Sequence, residues 1–264
     1  MILSRDNLTA ELSQSSPTRH WVVDVFDQLP STNDFLRERD LAGRAGVIEL
    51  CATDWQTAGH GRRGKNWSSQ RGNVTFTVRQ RIKRPAGDLL GLSLVTGIAV
   101  STVLRERLGV QAELKWPNDV LVDGKKLGGL LIELLTVPGD SKSTDVVTGI
   151  GLNVHHQREF DQLGIGATSL EKLGRSPELD RHELIAAIAE SVASLYVEFE
   201  TSGWSVFEPR WRSVDALFGR AVTVSGGSML TGTACGVSAS GALLVDTGAE
   251  TTSVVAGEVS VRPV

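Results

Sequence analysis

Apolar and polar residues alternate through Val74-Thr75-Phe76-Thr77-Val78-Arg79-Gln80-Arg81-Ile82, the period of a strand with one buried face. That strand is expected to span residues 73–82. Residues 21–26, 47–53 and 146–154 read as further strands. Between residues 89 and 108 the chain is apolar nearly all round and stops at Gly109, which predicts a core helix. Polar or small interruptions at Gly91, Ser93, Thr96, Gly97, Ser101 and Thr102 favour a buried helix over a membrane span. Pro30-Ser31-Thr32-Asn33-Asp34 offers several N-caps for a helix at 35–42. Asp180, with Glu183 at the capping-box position, predicts a helix running through residue 202, followed by a short one at 206–211. Residues 1–20 are polar and predict a short helix or arm. Leu114-Lys115-Trp116 opens a meander in which residues 120–122 and 130–132 flank the hairpin signal Asp123-Gly124.

The pattern changes near Gly219. The chain becomes rich in Gly, Ser, Thr and Val, with short strands expected at 221–224, 231–237, 242–246 and 252–256. This predicts two domains, 1–217 and a small barrel at 218–264. Charged residues make up 22% of the 264, apolar ones 41%, and the formal net charge is −4. An acidic chain is a poor non-specific nucleic-acid binder, although a local basic loop is compatible with it. Cys51 and Cys235 are the two cysteines, too few and too far apart for a disulfide framework, which favours a reducing cytoplasm. Cys51 lies in an apolar run and reads as a buried strand residue. The N-terminal stretch carries Arg5, Asp6 and Glu11 and does not resemble a signal peptide.

Candidate chemistry concentrates in Gly59-His60-Gly61-Arg62-Arg63-Gly64-Lys65-Asn66-Trp67. Three glycines and three cations can bring N–H groups and charge to phosphate oxygens. The stretch fits the dinucleotide fingerprint through Gly59, Gly61 and Gly64. It also fits the Walker A loop through Gly59, Gly64 and Lys65, except that Asn66 stands where Ser or Thr must hold magnesium. Both motifs require a helix next, and the alternating strand follows instead. A loop joining two strands and closing over an anionic ligand fits better than either motif or an idle basic surface loop.

Further motifs follow in order: Lys115-Trp116-Pro117-Asn118-Asp119, then Lys126-Leu127-Gly128-Gly129-Leu130-Leu131-Ile132-Glu133, then Gly149-Ile150-Gly151-Leu152-Asn153-Val154. The two glycines of the last strand suggest a bulge or a closely approaching ligand. With Ser31-Thr32-Asn33 and Gln56-Thr57-Ala58-Gly59, this combination resembles the bacterial biotin protein ligases, of the monofunctional type without an N-terminal DNA-binding domain. The resemblance runs from Ser31 through Asn153 and more loosely into the C-terminal region. It implies an α+β fold: a mixed, largely antiparallel sheet with helices, like a class II synthetase catalytic domain, plus a small C-terminal SH3-like β-barrel. It also implies the reaction. Biotin and ATP give biotinyl-5′-AMP and pyrophosphate, and biotin then passes to one lysine of a carrier.

By this resemblance, Ser31, Thr32, Asn33, Gln56, Gly59, His60, Gly61, Arg62, Lys115, Gly129, Gly149 and Gly151 bind biotin. Arg62, Arg63, Lys65, Trp67, Asn118, Lys126 and Asn153 bind ATP or the adenylate. Lys115, Arg62, Asp119 and Lys126 are the catalytic candidates, with Lys115 holding the biotin carboxylate against the phosphate. Asp119 either holds Mg²⁺ or receives the acceptor amine's proton. Ser31-Thr32-Asn33 also reads as a plain helix cap, Trp67 as a core residue, Lys115 as a solvent-facing lysine and Asp119 as a structural salt-bridge partner. The implied partner is a biotin carboxyl carrier protein or domain of an acetyl-CoA, acyl-CoA or pyruvate carboxylase. The expected state is a cytoplasmic monomer or weak homodimer that binds neither DNA nor membrane.

His60 and Lys65 stand where the family usually has arginine, and neither reproduces a guanidinium fork. The loop is expected to be mobile when empty and ordered by its ligand. Replacing Arg62 by Gly is expected to spare adenylation but leak intermediate, read as free biotinyl-adenylate. His155-His156 lacks further ligands at metal spacing and reads as an exposed loop. Three rival readings stand beside the ligase: a lipoate or octanoate ligase or transferase, a transcriptional repressor and a non-catalytic biotin-binding module. About 20 residues before Trp21 are too few for the repressor's three-helix unit.

Overall fold

The computed structural model describes residues 2–39, 46–157, 166–175, 179–226, 229–256 and 260–263. The first strand, β1 (His20–Leu29), ends at Pro30, and Ser31 caps the helix α2 (Thr32–Glu38) by accepting from Asp34 N at 3.2 Å. The remainder of the helix expected to residue 42 falls largely on residues outside those described. Ahead of β1, the polar arm is the helix α1 (Arg5–Ser15), which buries Leu8 and Leu12. The chain returns as β2 (Val47–Gln56), parallel to β1, so β1-α2-β2 is a crossover unit. β3 (Val74–Ile82) runs antiparallel to β2, and no helix N-terminus receives the loop between them.

α3 (Leu92–Leu108) is buried over most of its length, although together with the turn before it the stretch Ala86–Leu108 is long and apolar enough to cross a membrane. Its start is three residues later than expected, because residues 86–89 form a separate 3₁₀ turn. Gly109 ends it at φ +64°, with its N–H on Arg105 O at 3.0 Å. The meander then runs through β4 (Glu113–Lys115), β5 (Asp119–Val122), β6 (Lys125–Val137) and β7 (Asp140–Leu152). β6 and β7 form a longer hairpin than the sequence pattern suggested, and Asn153 and Val154 lie beyond it. The seven strands are ordered β1-β2-β3-β7-β6-β5-β4, parallel only at β1–β2.

α4 (Arg181–Ser202) packs on α3 and α1. Asp180 caps it, accepting from His182 N at 2.8 Å, but the capping box is incomplete: Glu183 takes Arg107 Nη1 at 3.1 Å instead of turning back. The short helix is split into a 3₁₀ turn at 204–206 and α5 (Glu208–Arg212). The C-terminal region forms a second sheet from β8 (Ala221–Ser225), β9 (Leu230–Val237), β10 (Leu243–Asp246), β11 (Thr251–Val254) and β12 (Ser260–Pro263), in the order β11-β10-β9-β8-β12. The strand β12 was not anticipated.

Cys51 is fully buried, and burial raises its thiol pKa, with Asp24 and Glu49 adding to the rise. His155 and His156 are half-buried, which corrects the expectation of an exposed loop. Among the described residues no cluster of three or more His, Cys, Asp or Glu side chains is placed to hold a metal.

Candidate active site

Sheet register builds the site. Lys115 pairs with Asp119, Asp119 with Gly129, Gly129 with Gly151 and Gly151 with Thr75. Directly paired residues share a face, so five strands contribute one cross-strand row. Two residues along, Leu131, Gly149 and Thr77 form a second row on that face. The glycines leave space that protein side chains enter. A Cβ on Gly149 would stand 2.2 Å from Asn33 Oδ1, and one on Gly151 would stand 2.6 Å from the Trp67 ring. The close approach suggested by the two glycines is therefore made by Asn33 and Trp67.

Above these rows lies a cavity of about 230 Å³. Its wall includes Ser31, Thr32, Asn33, Gln56, His60, Gly61, Arg62, Arg63, Lys65, Trp67, Lys115, Asn118, Asp119, Lys126, Gly129, Gly149 and Gly151. Two of the anticipated residues stand apart. Gly59 lies behind the wall, where a Cβ would meet Gln56 Nε2 at 2.6 Å, and its carbonyl accepts from Trp67 N at 2.8 Å. Asn153 is buried beside the cavity and donates from Nδ2 to Thr168 O at 3.1 Å, while among the described residues its Oδ1 has no partner.

One end of the cavity is a buried hydrogen-bond relay. Gln56 Oε1 accepts from Thr32 N at 2.8 Å and lies 3.0 Å from Thr32 Oγ1. Thr77 Oγ1 lies 2.7 Å from Thr32 Oγ1 and 2.6 Å from Asn33 Oδ1, and Asn33 Nδ2 donates to Glu133 Oε2 at 2.8 Å. Ser31 thus caps α2 while Thr32 and Asn33, in the same helical turn, face the cavity. Thr77 was missed because its alternating strand looked merely structural. Its register opposite Gly149 was the available signal.

The other end is cationic. Lys115 is 9% exposed and, among the described residues, its ammonium makes no hydrogen bond or ion pair. Burial lowers its pKa from the ordinary lysine value; Asp119 opposes this, while Lys126, Arg262 and Lys65 add to it. Lys126 Nζ reaches Asp119 Oδ1 at 2.5 Å and lies 5.7 Å from the Trp67 ring centre. Trp67 is half-buried on the cavity floor, so it is not a core residue. Asn118 holds β6 through Nδ2 to Leu130 O at 2.8 Å.

The glycine-arginine loop folds on itself: Trp67 N donates to Gly59 O at 2.8 Å and Gly61 N to Lys65 O at 2.7 Å. Its tip turns through two left-handed residues, Arg63 at φ +63° and Gly64 at φ +66°. A side-chain-bearing residue adopts that conformation at a cost of roughly 1 kcal/mol. His60 Nε2 lies 3.7 Å from Asp34 Oδ1 on α2. Arg62 Nη2 donates to Ala256 O at 2.5 Å, and Val261 also lines the cavity, so the C-terminal sheet forms part of the wall.

A buried ammonium, a flap of cations and a polar closed end in one cavity suit a ligase that brings an acid to a nucleotide, and the chain belongs to the biotin/lipoate A/B protein ligase family. That family's pattern matches residues 25–153, and the biotin protein ligase C-terminal domain matches residues 217–262. The chain is 31% identical to the biotin--[acetyl-CoA-carboxylase] ligase of Mycobacterium tuberculosis, over 90% of this chain and 88% of that one. It is also 31% identical to the bifunctional ligase/repressor BirA of Salmonella typhimurium, over 99% of this chain and 79% of that one. A biotin protein ligase from Aquifex aeolicus, solved in complex with biotin and ATP, superposes with a TM-score of 0.76 at 28% identity, covering 93% of this chain and 99% of that one.

Proposed function

We propose that this enzyme activates biotin with ATP and transfers it to a lysine of a biotin carboxyl carrier protein or domain. The observation that carries this reading is the two-ended cavity: an uncharged hydrogen-bonding end at Thr32, Asn33 and Gln56, and a buried ammonium at Lys115 facing the cationic loop. Biotin has the same polarity, with a ureido ring at one end and a carboxylate at the other. A lipoate or octanoate enzyme needs no hydrogen-bonding groups at the closed end, so the relay favours biotin.

In the first step the carboxylate oxygen attacks the α-phosphorus of ATP. A carbon-bound O–P bond forms, the bond to the β-phosphate oxygen breaks, and pyrophosphate leaves. Lys115 holds the carboxylate and offsets phosphate charge, while Arg62, Arg63 and Lys65 approach from the loop. Trp67 offers a flat surface for the adenine, and the free Oδ1 of Asn153 suits an amino group that reaches it. Among the described residues Asp119 is the one carboxylate in the cavity wall and already pairs with Lys126, so Mg²⁺ would draw most of its ligands from phosphate and water. In the second step the carrier's lysine nitrogen attacks the biotinyl carbonyl carbon, AMP leaves and the amine loses a proton. Asp119 is the nearby group able to take that proton. We read the C-terminal sheet as an SH3-like barrel, divided from the catalytic domain at residues 217/218.

The test is direct. The protein incubated with biotin, ATP and Mg²⁺ should release pyrophosphate and yield biotinyl-5′-AMP by mass spectrometry; an added apo carrier domain should gain one biotin. Pyrophosphate release that requires lipoate or octanoate instead, or biotin binding without any release, would overturn the reading.

A further inference from the structure

Glu133 and Arg37 do not line the cavity, yet both are tied to its polar end. Glu133, on β6, accepts from Asn33 Nδ2 at 2.8 Å through Oε2 and from Arg37 Nη1 at 3.1 Å through Oε1. Arg37 is itself braced on Asp34 at 2.6 Å. A carboxylate only accepts, so Asn33 must turn its NH₂ toward Glu133 and its Oδ1 toward Thr77.

Proton counting then orders the rest of the relay. Three oxygen–oxygen contacts link Gln56, Thr32, Thr77 and Asn33, and two hydroxyl protons serve them. At 2.6 Å, Thr77 and Asn33 Oδ1 cannot both be acceptors, so Thr77 donates there. Thr32 Oγ1 donates to Gln56 Oε1 across 3.0 Å, where the carbonyl's second lone pair is free beside the Thr32 N–H. Thr77 Oγ1 also faces Thr32 Oγ1 at 2.7 Å, with its one proton committed to Asn33. Glu133 thus fixes the Asn33 amide and, through it, the Thr77 hydroxyl. Thr32 and Asn33 are left with acceptor lone pairs at the closed end.

We propose that Glu133, braced by Arg37, is a positioning residue that sets the hydrogen-bond polarity of the cavity's closed end and so selects a head group bearing N–H donors. This rests on the biotin ligase reading and deepens it. The carboxylate never touches the substrate; it acts through Asn33.

Glu133→Gln tests the idea, because its amide can offer Asn33 either an oxygen or an NH₂ and the relay loses its enforced direction. The expected result is a rise of about tenfold in KM for biotin, with kcat at saturating biotin and KM for ATP unchanged. A second measurement is independent of activity. In ¹⁵N-labelled protein, the Asn33 side-chain NH₂ protons should exchange with solvent slowly in the wild type and about tenfold faster in Glu133→Gln. Unchanged exchange overturns the inference whatever KM does. Equal rises in KM for biotin and ATP together with a lowered melting temperature also overturn it, since they mark a merely structural residue. If the wild type shows no biotin-dependent pyrophosphate release, the ligase reading falls instead, and Asn33 exchange still decides whether Glu133 orders the relay.

Discussion

Lys115 is the residue on which the proposed chemistry turns. Its burial was not visible in Lys-Trp-Pro-Asn-Asp, where it reads equally well as a solvent-facing lysine. Because burial lowers its pKa, the ammonium is lost at a lower pH than an ordinary lysine's. The pH profile of kcat/KM, which reports the free enzyme, should therefore fall on its alkaline side below the usual lysine range. Lys115→Arg should push that limb to higher pH, and Lys115→Ala should slow adenylation about 100- to 1000-fold in a pyrophosphate-release assay. An unshifted limb in the arginine variant would assign the titration to another group. Gly149 makes a second prediction. An added Cβ would sit 2.2 Å from Asn33 Oδ1, and the Asn33 amide is held at both ends by Thr77 and Glu133, so Gly149→Ala should cost roughly 1–3 kcal/mol and raise KM for biotin. Gly151→Ala should be milder, because Trp67 is half-exposed and has room to shift. Melting curves and biotin titrations of the two variants measure the difference.

Strands were easier to find than their lengths. The alternation at 74–82 marked β3 but did not show that both of its faces are covered. Arg79 and Asp145 are 6% and 4% exposed. They meet at 3.1 Å, with Arg81 on the same carboxylate at 2.8 Å, and this pairing ties β3 to β7 further along the face that carries the site. Burial alone would raise the Asp145 pKa, but hydrogen bonds from Arg81 and Arg79 outweigh it and hold the carboxyl below the ordinary 3.8. The folded pKa is depressed, so this contribution to stability is complete above the unfolded value and is lost as pH falls through the folded one. Asp145→Ala should cost about 3–5 kcal/mol at neutral pH, because Arg79 is left buried without its counter-charge. Urea unfolding at pH 7 reads the loss, and the gap from wild type should narrow in strong acid. The caps Ser31, Gly109 and Asp180 were legible because each acts within one turn. The partner of Glu183 was not, since Arg107 lies on another helix.

The two sheets share the site. Trp116, beside Lys115, is 1% exposed and donates from Nε1 to Gly241 O at 3.0 Å, while Arg62 reaches Ala256 O and Val261 lines the cavity. The segment joining the two sheets also flanks β4: Leu114 N donates to Val214 O at 2.7 Å, and Ala216 N donates to Leu114 O at 2.9 Å. Trp116→Phe keeps one aromatic ring but loses the five-membered ring with its N–H, leaving a buried carbonyl unpaired and a small void, so it should cost about 1–3 kcal/mol in equilibrium unfolding and raise KM for ATP. An unchanged unfolding midpoint would mean that the sheets do not lean on this bond.

Local signals carried much of this protein. Alternation, caps, turn glycines and the ordered motifs from Ser31 to Asn153 are properties of short stretches, and they sufficed to place most strands and helices and to nominate about two thirds of the cavity wall, though not Thr75, Phe76, Ile150 or Val261. What they left open depends on register and on contacts far apart in the chain. Which glycine faces which side chain, how Thr77 and Glu133 join Asn33, and that Ala256 and Val261 border the cavity follow from strand pairings and from the seating of the second sheet. No window along the chain contains those distances, because the partners are brought together by hydrogen bonds between strands rather than by proximity in sequence.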